Sequence, residues 1–154
     1  MRFGRNAGTG LLVLRVGIGA VFFAHGWTKL FGLQISFVQG MLAMVGWEMP
    51  EQLLWTVAVL ELAGGVALIV GYLVRPFALL LSLEMVVAVM LFHLHEGFFI
   101  ASVPNAPLAY GFEYHVALVS GLVCLGLAGP GLWSIDARQH KQATSAPRAI
   151  AARN

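Results

Sequence analysis

Four long apolar segments constrain what this chain can fold into. They lie near Leu11–Phe31, Leu53–Val74, Pro76–Phe98 and Phe112–Leu132, and each approaches the ~20 residues that cross ~30 Å of hydrocarbon as a helix. Backbone polar groups must pair internally in lipid, so each segment is predicted to be helical. Only 10% of the residues are charged, whereas about 25% are charged in a soluble domain. We expect an all-α, integral membrane four-helix bundle.

The remaining stretches are more polar. Gly32–Gln52 mixes glycine, glutamine and aromatic residues, which indicates an interfacial or short re-entrant element. The loop Ile100–Gly111 contains prolines and is predicted to be irregular. Residues 1–136 are therefore expected to form the membrane domain. Residues 137–154 lack apolar periodicity and are expected to form a flexible, basic cytoplasmic tail.

The basic residues predict the orientation. Seven of the nine lie at the N-terminus, in the turn between the second and third segments, or in the tail: Arg2, Arg5, Arg75, Arg138, Lys141, Arg148 and Arg153. Basic loops favour the cytoplasmic side, so both termini are predicted to be cytoplasmic. The net charge of +2 gives no reason to expect nucleic acid. The single cysteine, Cys124, excludes an internal disulfide and is expected to be buried and inert.

Ionisable residues interrupt the apolar segments. A charge in hydrocarbon is costly, so such residues usually face partners inside a bundle. At ~1.5 Å per residue, Arg15 and Glu84 share the depth nearest the cytoplasm. His25 and Glu61 share the middle depth, and we expect each residue to pair with its counterpart. An outer cluster comprises Lys29, His93, His95, Glu113 and His115. Helical phase favours His95 over His93 as the residue that faces inward.

Each candidate also has a structural interpretation. Arg15 can extend its side chain to the lipid headgroups. Glu61 and Glu84 can each belong to an ion pair that only sets helix register. The outer residues can be interfacial anchors. The histidines suit a metal or haem by chemistry, but no His-x-x-x-His spacing supports such a site, so neither is favoured. Whether the buried charges are catalytic or structural stays open.

Motifs along the chain resemble those of the DoxX family. The first helix carries Arg15, the dipeptide His25-Gly26 and the run Lys29-Leu-Phe-Gly. The second span has Glu61-Leu-Ala-Gly-Gly65 and a basic turn, and the chain continues through Glu113 to Gly-Pro-Gly-Leu-Trp-Ser-Ile-Asp136. The order and spacing of these motifs resemble the family pattern from Leu11 to Asp136.

The resemblance implies a four-helix protein of the cytoplasmic (inner) membrane of a bacterium or archaeon, associated with quinone-linked redox chemistry. A quinone is the candidate cofactor, and the expected function is that of a small subunit acting with a partner protein of a redox complex. His25 and Glu61 are the catalytic candidates, for hydrogen bonding and proton relay. The ligand-binding candidates are Arg15, Lys29, Glu84, His95 and Glu113. The alternative is a non-enzymatic scaffold or small-solute transporter whose buried charges set helix packing. A second copy of the chain is a further candidate partner.

Overall fold

A computed structural model describes residues 4–32, 34–44, 46–101 and 109–142. The helices are α1 (Arg5–Phe31), α2 (Gln34–Met44), α3 (Glu51–Val70), α4 (Val74–Ala88) and α5 (Glu113–Ala128). Helix α4 continues through a π-helical turn, Val89–His93, and a 3-10 turn, Leu94–Glu96. The prediction of an all-α membrane fold is confirmed.

Among the described residues, two helices and one composite helix are long and apolar enough to cross a membrane. These are α1, α3 and the continuous helix Val74–Glu96. Helix α5 is apolar but has 16 residues, fewer than the ~20 that span the hydrocarbon core. Large apolar side chains such as Val13, Leu83 and Leu127 are 67%, 62% and 74% exposed, which suits a surface that contacts lipid. The fourth span and the orientation of the termini stay predictions.

The polar stretches contain more regular structure than expected. Within Gly32–Gln52, helix α2 buries Ile35 and Leu42 against Leu54 of α3. The loop expected to be irregular begins and ends as a short antiparallel pair, β1 (Ile100–Ala101) and β2 (Ala109–Tyr110). Residues 102–108 of that loop lie outside the described residues. Residues 135–142 are helical, and the rest of the predicted tail, 143–154, also lies outside the described part.

Helices α1 and α3 approach each other closely because glycines occupy their contact. A Cβ atom on Gly65 would lie 2.7 Å from the carbonyl oxygen of Gly19, and one on Gly26 would lie 2.9 Å from that of Ala58. These distances are too short for any real side chain. Small residues allow such close packing of helices in membranes. Glycines therefore mark the contact between α1 and α3.

The turn between α3 and α4 makes these helices an antiparallel hairpin. Gly71 ends α3 in the left-handed conformation, with φ at 76°, which a residue without a Cβ adopts readily. Pro76 lies in the first turn of α4, where its missing N–H leaves no hydrogen bond unmade. The main core beneath this hairpin buries Phe22, Leu81 and Leu122 completely or almost so.

Candidate functional site

A cavity of about 540 Å³ lies in the half of the bundle that contains α2. Its walls come from the C-terminal half of α1, from α2, from the first half of α3, from the end of α4 with its π turn, and from the first turns of α5. Most of the lining is apolar and includes Phe22, Val38, Leu54, Met85 and Leu118. Its volume falls within the ~300–1,000 Å³ that is typical of small-molecule sites.

A cation and two carboxyl groups from three helices meet at this cavity. Lys29 of α1 donates to Glu61 of α3, with 2.6 Å between Nζ and Oε1. The side chain of Glu61 is 2% exposed and that of Lys29 is 20% exposed. Glu84 of α4 lies beside both of them. One lysine charge balances one carboxylate, so the second carboxyl group needs a proton or another cation in these apolar surroundings.

Three buried polar atoms of the cavity residues have no hydrogen-bond partner among the described residues. They are Oε2 of Glu61, Oε2 of Glu84 and Nδ1 of His115, and all three residues line the cavity. Buried polar atoms in native proteins almost always have a partner. The unmet hydrogen bonds therefore mark this end of the cavity as the place where a proton, a water molecule or a polar ligand group belongs.

Imidazole and phenol groups also line the cavity. The rings of His93 and His115 lie 4.3 Å apart between centroids, and His25, Tyr114 and Glu96 also line the cavity. His25 is otherwise exposed. Across the described ranges, no three His, Cys, Asp or Glu side chains gather in a way that could hold a metal ion.

Neither predicted ion pair forms. Glu61 is bound by Lys29 rather than by His25. Lys29 lies one turn beyond His25 on α1, and helical side chains lean toward the N-terminus, so the long lysine side chain reaches the depth of Glu61. Arg15 does not pair with Glu84 either, because backbone carbonyl groups take up its guanidinium. The prediction from depth alone was wrong for both pairs.

Arg15 caps a helix end. Its Nη1 donates to the carbonyl oxygens of Leu68 and Ile69 at 3.1 and 3.0 Å, and its Nη2 donates to that of Trp133 at 2.5 Å. Leu68 and Ile69 lie in the last turn of α3, where carbonyl groups lack helical partners and the helix dipole favours a cation. Arg15 is 1% exposed and lies about 21 Å from Lys29 along α1. The structure thus keeps this candidate away from the cavity.

Asp136 provides the complementary cap at the same turn. Its two carboxylate oxygens accept from the backbone N–H groups of Leu73 and Val74 at 2.9 and 3.0 Å, where α4 begins. An anion at a helix N-terminus satisfies free N–H groups and opposes the positive end of the helix dipole. Together Arg15 and Asp136 fasten the α3–α4 turn to α1 and to the segment after α5. This end of the bundle is a structural junction.

Two other ligand-binding candidates lie off the cavity. His95 is exposed, and His93 lines the cavity in its place. The π-helical turn Val89–His93 explains this difference, because one extra residue shifts the helix face by about 100°. Glu113 accepts from the backbone N–H of Ile100 at 3.3 Å, and so ties the start of α5 to β1.

Cys124 and Tyr114 were also misjudged from the sequence. Cys124 is exposed on α5 rather than buried. Tyr114 was not among the candidates, yet it lines the cavity beside His115. Its position in the first turn of α5, at the depth of His115, was the available signal.

Comparison with known proteins gives a family match. The family model described as DoxX matches residues 10–94. The Escherichia coli (strain K12) protein named "Inner membrane protein YqjF" is 29% identical over 86% of this chain and 94% of its own length. "Uncharacterized membrane protein Rv3486" of Mycobacterium tuberculosis is 28% identical over 88% of this chain and 84% of its own. "Putative oxidoreductase CatD" of Bacillus subtilis is 28% identical over 82% of this chain and 84% of its own. No solved structure matches significantly.

Proposed function

The chain belongs to the DoxX family of membrane proteins, and from this premise we propose that it is a small membrane subunit of a quinone-linked redox complex. In this proposal the quinone headgroup occupies the cavity between α1, α3, α4 and α5. The observation that carries the proposal is the group of Lys29, Glu61 and Glu84 beside an otherwise apolar cavity of about 540 Å³. The relative from Bacillus subtilis is named "Putative oxidoreductase CatD", and this name agrees with a redox function.

The cavity suits a quinone by shape and by chemistry. A quinone is a flat apolar ring with two oxygens and, in membranes, an apolar tail. Phe22, Leu54 and Leu118 offer apolar surface for the ring and the tail. Lys29, Glu61 and Glu84, together with His115, offer hydrogen-bonding partners for the ring oxygens. A site of this kind, apolar with a few convergent polar groups, is the usual form of a small-molecule site.

The cavity residues would bind the headgroup and handle protons. A bound quinone supplies two-electron, two-proton redox chemistry. Glu61 and Glu84 can hold a proton at Oε2, where neither carboxyl group has a partner among the residues that the structure describes. Lys29 keeps Glu61 in place through their ion pair. His25 and His115 also line the cavity, and imidazole can pass a proton on to the rim. Electrons are exchanged with a partner redox protein.

Quinone binding by cavity variants tests this proposal. We would titrate the protein, purified in mild detergent, with decylubiquinone and follow the quenching of tryptophan fluorescence. Ala88→Phe puts a ring into the cavity that Ala88 lines, and we expect it to weaken binding about tenfold or more. Ala117→Phe is the matched control, because Ala117 is exposed on α5 and does not line the cavity.

Two outcomes would contradict the proposal. One is a wild-type protein that binds no decylubiquinone, and the other is Ala88→Phe binding as tightly as Ala117→Phe. Flux of a labelled solute into liposomes that depends on Glu61 would support the transporter alternative instead.

A further inference from the structure

The unmet hydrogen bonds of the cavity point to the oxidation state of its ligand. Resting on the proposed function, we propose that the site binds the reduced, dihydroxy form of the ring, a quinol, in preference to the quinone. A quinol carries two O–H donors, whereas a quinone carries only acceptor oxygens. The inference therefore depends on whether the protein presents acceptors or donors at this end of the cavity.

The carboxyl groups present acceptors. An ionised carboxyl group can only accept hydrogen bonds. Glu61 uses Oε1 to accept from Lys29. Within the part of the chain that the structure describes, neither Oε2 of Glu61 nor Oε2 of Glu84 has a donor. Both atoms are buried, and both residues line the cavity. The ammonium group of Lys29 is already engaged by Glu61. This end of the cavity consequently offers two unsatisfied acceptors from two helices, α3 and α4.

The two carboxyl groups can share a proton when no ligand is bound. They lie side by side with one lysine for two potential negative charges, and a proton between them would restore the charge balance. That proton stays with the pair when a quinol binds, because its loss would leave two negative charges beside one lysine in apolar surroundings. The quinol hydroxyl then donates to an Oε2 atom that the shared proton leaves free. A quinone brings no donor, so it would leave at least one buried acceptor unsatisfied or depend on the shared proton for its own hydrogen bond. The donor count favours the quinol.

The expected preference is measurable. Hydrogen bonds to charged groups change binding constants by about tenfold or more. We therefore expect decylubiquinol to bind with a Kd about tenfold lower than that of decylubiquinone, each titrated anaerobically in the same detergent and corrected for partition into empty micelles. The ratio of the two Kd values is the quantity to compare between variants.

Glu84→Gln tests the donor count. The amide replaces one acceptor oxygen by an N–H donor and keeps the shape of the side chain. We expect it to weaken quinol binding, to strengthen quinone binding and to bring the two Kd values within about threefold. Glu48→Gln is the matched control, because Glu48 is exposed and does not line the cavity, and it should keep the wild-type ratio.

The outcomes separate this inference from the proposed function. Equal or tighter binding of decylubiquinone by the wild-type protein overturns the quinol preference and leaves quinone binding intact. An unchanged ratio in Glu84→Gln overturns the assignment of that preference to the carboxyl groups. If neither form binds, both the inference and the proposed function fail. If Glu84→Gln does not fold, the wild-type ratio alone decides whether the preference exists.

Discussion

Removing the positive charge of the Lys29–Glu61 ion pair should destabilise the protein strongly. Lys29→Met keeps most of the side-chain volume but deletes the ammonium group that lies 2.6 Å from Oε1 of Glu61. Glu61 is 2% exposed at its side chain, so bulk solvent screens the remaining charge poorly. Glu84 lies beside it, so the variant leaves two carboxyl groups together without a cation. Breaking one side of a buried ion pair costs about 3–5 kcal/mol.

A double variant distinguishes the effect of the unpaired charge from the effect of lost packing. Lys29→Met combined with Glu61→Gln removes both charges, and neutral replacement of a buried pair is often close to neutral for stability. We expect the free energy of unfolding of the double variant to lie within about 1–2 kcal/mol of the wild-type value, well above that of Lys29→Met alone. A recovery of this kind identifies the unpaired charge, rather than lost packing, as the cause of the destabilisation.

Unfolding in mixed micelles measures these differences. The protein would be titrated with sodium dodecyl sulfate and followed by tryptophan fluorescence to give a free energy of unfolding. Glu51→Gln serves as the control, because Glu51 is exposed and its loss should cost less than about 1 kcal/mol. A free energy for Lys29→Met within 1 kcal/mol of the wild type, in the same range as this control, would refute the argument.

Four further substitutions test the packing and the caps by the same unfolding measurement. Arg15→Lys should cost at least about 2 kcal/mol, because one ammonium group cannot reproduce the guanidinium bonds to carbonyl groups of two segments; stability equal to the wild type would contradict the cap. Gly65→Ala should cost about 1–3 kcal/mol, since its Cβ would lie 2.7 Å from the carbonyl oxygen of Gly19. Gly17→Ala, with open space around it, should be neutral or stabilising by up to about 1 kcal/mol, and a similar loss in both glycine variants would count against close packing. Asp136→Ala should cost about 0.5–2 kcal/mol by uncapping α4, whereas no loss would mean that the α4 amides find water instead.

The length of the apolar segments and the burial of ionisable side chains could be predicted from the sequence. Both follow from the low dielectric of the bilayer core. The spans follow from hydropathy, and the expectation that ionisable side chains of different helices meet inside the bundle follows from the cost of isolated charge in hydrocarbon. The glycines of α1 and α3 likewise mark a contact because only small residues allow it.

The partners of the charged side chains could not be predicted from the sequence, because details of the local structure decide them. Arg15 binds the carbonyl groups at the end of α3 and that of Trp133, and backbone partners leave no trace in the side-chain pattern. His93 replaces His95 at the cavity because a π turn interrupts α4, and no regular 100° projection anticipates that. Lys29 rather than His25 is the partner of Glu61. The two residues lie about one helical turn apart along α1, and the long lysine side chain spans that difference in depth.

An experimental structure of the protein with a bound decylubiquinol would test the central claim most directly. The account predicts a ring enclosed by α1, α3, α4 and α5, with its hydroxyl groups within hydrogen-bond distance of Glu61 and Glu84. A ring bound elsewhere on the surface, or a Glu84 side chain turned outward to lipid with Lys29 unpaired, would contradict it.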